Sequence, residues 1–238
     1  MIPIGFGPEL LTWLRIETER AWAAITERTL DEQQALGVGG ATWRRGTRWT
    51  GDLDDAAISA IERREGFRFT DQHRLFLRAL HATRPRMRRF SFGDPGDGDR
   101  LVERDAPGFY HWIDDAAEIA AARAAVVEGL VFDVEENGLW PAGWGARPRA
   151  AVERAARVAE LVRAAPPLAP IFGHRFVVDA GWGRAVVLSI VQSDVIVYGA
   201  DLRAYLLNEL HGLLGTAAPS DGPVVDPADI PFWGELSA

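Results

Sequence analysis

Three observations predict an α+β fold. Apolar residues recur at helical spacing through most of the chain before residue 166, two β-rich runs stand together after residue 184, and one more helical stripe follows them. With 238 residues the chain can bury a substantial core, so one large domain with appended arms is expected rather than two equal domains.

The first element is predicted from PELLTWLRIETERAWAAITER, where Leu10, Trp13, Leu14, Glu17, Ala21 and Ile25 fall near helical spacing. Gly37, Gly39 and Gly40 interrupt any continuation. DLDDAAISAIERREG has acids in its first turn, apolar Ala57, Ile58 and Ile61, and Gly66 as a stop. Phe67-Arg68-Phe69 reads as a short extended link, and Thr70 can cap a third helix whose Leu75, Phe76, Ala79 and Leu80 form one face.

From Arg84 to Arg104, RPRMRRFSFGDPGDGDR has no sustained period and is expected to be a loop. FYHWIDD leads into a short Ala-rich helix ending near Gly129, and GLVFDVEENGLW reads as a strand with a turn at Asn137-Gly138. RPRAAVERAARVAELVRAAP is a helix ended by Pro166-Pro167. LAPIFGHRFVV is then expected as one strand and GWGR as a turn. VVLSIV and VIVYG read as two antiparallel strands joined by a tight turn at Gln192-Ser193-Asp194. A helix follows with Asp201 in its first turn and Leu202, Tyr205, Leu206 and Leu210 on one stripe. The Pro-rich tail is expected to lie on the surface as an arm anchored by Phe232-Trp233. The expected organisation is an N-terminal helical extension over 1–50, a core domain over 51–214 and a C-terminal arm over 215–238.

Composition excludes several chemistries. The chain has no Cys, which removes disulfides, thiolate zinc sites and a cysteine nucleophile. Every basic residue is Arg, so a lysine Schiff base is unavailable to it. A formal charge of -8 disfavours general nucleic-acid binding, because phosphate contact needs a positive surface, and suits a basic partner. No apolar run approaches the roughly 18 residues of a spanning helix, and MIPIGFGPELL lacks a basic region before an apolar signal core. The expectation is a soluble cytoplasmic protein with no membrane partner. Nine Trp exceed ordinary core filling, and Trp is over-represented at interface hot spots, although burial is the expected place for most of them.

Few residues suggest a site. On a strand, Asp133 and Glu135 would share one face and Glu136 the other, giving a paired-acid hydrolase site, a solvated strand end or an acidic patch for a partner. The His residues at 73, 81, 111, 174 and 211 have no HExxH or other close ligand spacing; His174, in IFGHRF, is expected to be a hydrogen-bonded structural His. Ser189 and Ser193 lack the glycines of a nucleophile elbow, and Gly181-Trp182-Gly183 is too short for a phosphate cradle. Arg84, Arg86, Arg88 and Arg89, followed by Phe90 and Phe92, combine charge with stacking surface; the Asp-rich DPGDGD beside them points instead to a solvated loop. Trp140 and Trp144, in LWPAGWGARP, either cover the sheet or form an interface. No catalytic, metal or cofactor-binding residue is assigned.

Three stretches in order, DAAISAIERREGFRFTDQHRLFLRALHA, GLVFDVEENGLWPAGWGARP and LAPIFGHRFVVDAGWGRAVVLSIVQSDVIVYGADLRAYLLNEL, resemble the SUKH superfamily over about residues 52 to 210. That superfamily includes the yeast cell-wall assembly regulator and bacterial immunity proteins against polymorphic toxins. Thr70 stands where the family pattern has Pro, and the N-terminal helix and Pro-rich tail depart from it. The resemblance implies a single α+β domain with a central mixed, mainly antiparallel sheet flanked by helices, and neither cofactor nor catalytic residues. It also implies a function: binding a toxin domain of nuclease or deaminase type and occluding its active site. The expected partner is thus a protein with a basic surface, met by a monomer or weak homodimer, with Asp133, Glu135, Glu136, Trp140 and Trp144 on the partner surface. A regulatory scaffold of cell-envelope or signalling processes is the alternative, and a hydrolase using Asp133 and Glu135 a further one.

Overall fold

The computed structural model describes residues 2–51, 53–93, 100–179, 181, 185–218 and 224–237. Its helices begin and end largely where local chemistry dictates. α1 (Pro8–Ala23) starts with Pro in its first turn, where the missing N–H costs nothing. α2 (Leu30–Leu36) carries a reciprocal capping box: the Thr29 hydroxyl accepts from the Glu32 N–H at 3.2 Å, and the Glu32 carboxylate accepts from the Thr29 N–H at 2.7 Å. α3 (Asp55–Glu65) is capped by Asp54 and stopped at Gly66, α4 (Asp71–Ala79) is capped by Thr70, and α7 (Leu202–Leu214) by Asp201, each through a backbone N–H three residues on. α6 (Ala151–Ala164) ends before Pro166-Pro167.

The strands form three sheets, all antiparallel among the described residues. β1 (Gly40–Thr42), β4 (Met87–Phe92) and β5 (Leu101–Ala106) pair in the order β1-β4-β5. β2 (Arg48–Trp49) and β3 (Thr83–Arg84) make a two-stranded ladder. The central sheet is a meander of β6 (Ala169–Phe172), β7 (Arg175–Asp179), β8 (Ala185–Val191) and β9 (Asp194–Gly199). The α+β class with a mainly antiparallel sheet is thus what the chain has, and among the described residues no pair of the central sheet is parallel, because hairpin turns, not helical crossovers, join its neighbouring strands.

Strand β8 is buried on both faces, which makes the central sheet the middle layer of three. Ala185 and Val187 join one apolar cluster with α1, α3, α4 and α7; Val186, Leu188 and Ile190 join a second with the long helix α5 (Ala116–Glu136), α6 and the C-terminal arm. Leu10, Leu14 and Trp22 of α1 are fully buried beside Tyr205 and Leu206 of α7, so the N-terminal helix is part of the first cluster rather than an appendage. At the other end Ile230, Trp233 and Leu236 of the arm are buried in the second cluster, and the Trp233 indole donates to the Pro166 carbonyl at 3.0 Å.

Three elements differ from expectation. The Arg84–Arg104 region is not a loop: β4 lies within it and β3 and β5 overlap its ends, and Arg88 places its guanidinium against Glu103 on the neighbouring strand at 2.6 and 2.7 Å. LAPIFGHRFVV is a hairpin rather than one strand, turning at Gly173-His174 between β6 and β7. GLVFDVEEN is the second half of α5, not a strand. Val126, Leu130 and Val134 repeat every four residues on the buried face, and that tertiary burial overrides the local β preference of Val and Phe. Asn137-Gly138 does end the element, with Gly138 at a φ of 71° just past the helix. The Asp-rich 94–99 segment, Trp182 and Gly183 of the expected turn, and 219–223 of the arm lie outside the described residues.

Gly129 is not a helix stop but a place of close approach. A β-carbon there would lie 2.9 Å from Gln192 Cα and 3.2 Å from its nitrogen, so the β8–β9 turn rests directly on α5. Gly129→Val is expected to destabilise the chain by about 2 kcal/mol or more through overpacking against backbone, measurable by urea unfolding. An unchanged midpoint would mean that the turn can move away.

Candidate functional site

The predicted partner residues divide into structural and exposed groups. Asp133 is 4% exposed: one oxygen accepts from the Ser193 N–H at 2.8 Å, the other from the Asn137 amide at 2.6 Å, so the carboxylate clamps the β8–β9 turn to α5. Burial opposes its charge while these hydrogen bonds hold its pKa below the ordinary Asp range. Glu135 is held by Arg154 of α6 through two parallel hydrogen bonds, one of 2.7 Å, and that ion pair lowers its pKa. On a helix, two residues apart means roughly opposite sides. The two carboxylates thus share no site, which corrects the paired-acid arrangement.

Trp144 is 2% exposed, stacked on Phe232 of the arm with ring centroids 5.9 Å apart, and so covers the sheet rather than facing a partner. Trp140 is half-buried, lies edge-on to Trp144 and donates its indole N–H to the Gly145 carbonyl at 2.8 Å. Glu136 is exposed at the end of α5. Of the five expected residues, Glu136 and Trp140 present surface, Glu135 presents little beyond its ion pair, and Asp133 and Trp144 are core.

The outward side of α5 was missed in the sequence because its first half reads only as Ala-rich. Ala117, Ala121, Ala124, Glu128 and Phe132 form one exposed stripe, with Ile113 just before the helix; Ile113 and Phe132 are 51% and 50% exposed. Small side chains lose almost no rotamer freedom when covered, and a Phe at the end of such a stripe offers a large apolar contact.

Along one flank of this helix runs a groove of about 470 Å³. Ala121, Ala125 and Gly129 of α5 form one wall, and Phe176, Ile190 and Val191 of the central sheet form the other. Its polar lining comes from Arg89, Tyr110, Glu118, His174 and Gln192, with Gln192 beside Gly129 and Glu118 about three turns away along α5. The Tyr110 hydroxyl donates to the Gly173 carbonyl at 3.1 Å, and Glu118 is bonded by Arg86. His174 is exposed in its turn and has no hydrogen-bond partner for its ring among the described residues, contrary to the expected structural role. Burial, then Arg175 and Arg89, lower its pKa, so it is neutral at pH 7. Asp133 and Glu135 do not line this groove.

The remaining histidines are structural or peripheral. His73 and His81 are 1% exposed, and the His81 ring accepts from the Trp112 N–H at 3.1 Å. The Arg patch is mostly spent on ion pairs: Arg84 and Arg86 with the buried Asp115, Arg88 with Glu103. Phe90 is buried, so the expected stacking surface is reduced to Phe92. Among the described residues no group of three or more His, Asp or Glu is placed to hold a metal ion, and no helix is long and apolar enough to cross a membrane.

No protein-family model matches the chain, and no curated protein or solved structure matches it. Function therefore has to be read from the surface itself. The α5 stripe and the groove lie on the same side of the central sheet.

Proposed function

We propose that the chain is a non-enzymatic protein-binding domain of the immunity type, which caps a toxin domain of nuclease or deaminase chemistry in the cytoplasm. The observation that carries this reading is the outward stripe of α5, where Ile113, small Ala residues and Phe132 lie exposed beside Glu128, Glu136 and the half-buried Trp140. A contact surface built this way sets small side chains between two exposed apolar residues, with the carboxylates of Glu128 and Glu136 at the Phe132 end. The formal charge of -8 favours encounter with a basic cleft of the kind that holds nucleic acid. The commitment of Asp133 to Ser193 and of Glu135 to Arg154 weighs against the hydrolase alternative.

The test is capture of the partner from the native host, followed by titration of its purified domain against the chain. A single partner whose nuclease or deaminase activity is blocked at one-to-one stoichiometry supports the immunity reading. Several envelope or signalling partners, with no toxicity rescued, would replace it by a regulatory scaffold. Within the complex, Phe132→Ala with Glu136→Ala is expected to weaken binding at least tenfold while the melting curve stays near that of the parent chain. Unchanged affinity would move the interface off α5.

A further inference from the structure

We infer that the groove beside α5 binds a small amphipathic carboxylate, its apolar body between Ala125 and Ile190 and its carboxylate on Arg89. Arg89 is the reason. It lies directly across the β4–β5 ladder from Arg104, both are exposed, and among the described residues neither has an ion pair. Like charges directly opposite each other destabilise an antiparallel pair, so the fold carries this arrangement at a cost. Arg86 and Arg88, by contrast, are neutralised by Asp115, Glu118 and Glu103.

Arg89 also lines the groove, and its charge reaches the His174 ring, depressing protonation there. The one carboxylate in the lining, Glu118, is already bonded by Arg86. Among the described residues the fixed charge in the lining is therefore a cation with unused donors, and the Gln192 amide, which also lines the groove, has no partner there either. A guanidinium's fork of donors matches a carboxylate in two parallel hydrogen bonds. The opposite wall is apolar, and a volume of about 470 Å³ lies within the range of small-molecule sites. The charge that carries this site, Arg89, is on β4, and the groove shares only Ala121 with the outward stripe of α5, so the site does not rest on the protein-partner reading.

The experiment is a titration of the full chain at pH 7 with octanoate, octanol and octylammonium, followed by amide chemical shifts. Octanoate is expected to shift the amides of Gly129, Gly173 and Gln192 and to bind at least tenfold more tightly than the other two. Arg89→Gln should abolish that preference without loss of stability, since it removes an unpaired charge facing Arg104. Ala125→Trp, which fills the groove from α5 and leaves Arg89 in place, should abolish binding of all three. Octanol binding as tightly as octanoate, octanoate affinity unchanged in Arg89→Gln, or an absence of shifts at those amides would each overturn the assignment.

Discussion

Lowering the pH from 6.5 to 4.5 is expected to remove about 2–3 kcal/mol of folding stability for each of two buried histidines, His73 and His81. Both have pKa values lowered from 6.5 to about 3, chiefly by burial. His73 is packed among Phe69, Phe76 and Trp112, where a charged imidazolium has no water. Protonation of His81 would also disfavour that of His73, so the two take up protons in succession. The sign follows from the direction of the shift. A group that is harder to protonate when folded contributes its full stability above the unfolded pKa of 6.5 and loses it as the pH falls toward about 3.

Carboxylates with lowered pKa values, Asp115 and Glu65 among them, act in the same direction but in the lower window below their ordinary values near 4. Glu209, whose pKa burial raises, acts in the opposite direction. The decline between pH 6.5 and 4.5 therefore belongs mainly to the histidines. Urea unfolding across that range should show it, and His73→Leu should flatten it by about half. Among the described residues His73 Nε2 has no hydrogen-bond partner, so at pH 7 that variant should be near neutral. His81→Leu differs, because the buried Trp112 N–H loses its acceptor and stability at pH 7 should fall by about 1–3 kcal/mol. A pH profile as steep in His73→Leu as in the parent chain would refute the assignment.

Trp233 of the arm and the two tryptophans beside it, Trp140 and Trp144, should separate sharply in a melting experiment. Trp233→Ala and Trp144→Ala are each expected to cost about 3–5 kcal/mol, since both side chains are almost wholly buried and their removal leaves a large cavity. For a chain of this size that corresponds to a fall in Tm of about 6–20 °C. Trp140→Ala should cost about 1 kcal/mol or less, because a half-buried ring at the surface leaves a space that water can enter. Equal losses at Trp140 and Trp144 would contradict the division between interface and core drawn from their burial. The same measurement tests the arm, because Trp233 reaches the core only if residues 224–237 dock against α5, α6 and the central sheet.

What the sequence determined by itself was local. Thr70 caps α4, acids mark the starts of α3 and α7, where Asp54 and Asp201 prove to be the caps themselves, and Gly66 and Pro166-Pro167 end helices, because each acts within three or four residues of itself. The β8–β9 hairpin was legible for the same reason, being two β-rich runs across a two-residue turn. Tertiary structure decided whatever depended on a partner far along the chain. Val131, Phe132 and Val134 favour a strand in isolation, and only the surface offered by β8, β9 and Trp144 makes the helical face of Val126, Leu130 and Val134 the one worth burying. Charged Arg88 hides the strand β4 from any hydrophobic pattern, since its compensation is Glu103, fifteen residues away. The same non-locality separated Asp133 from Glu135, buried Trp144, and set Arg89 against Arg104: a side chain's exposure is fixed by what the rest of the chain brings to it, and no short window of sequence contains that information.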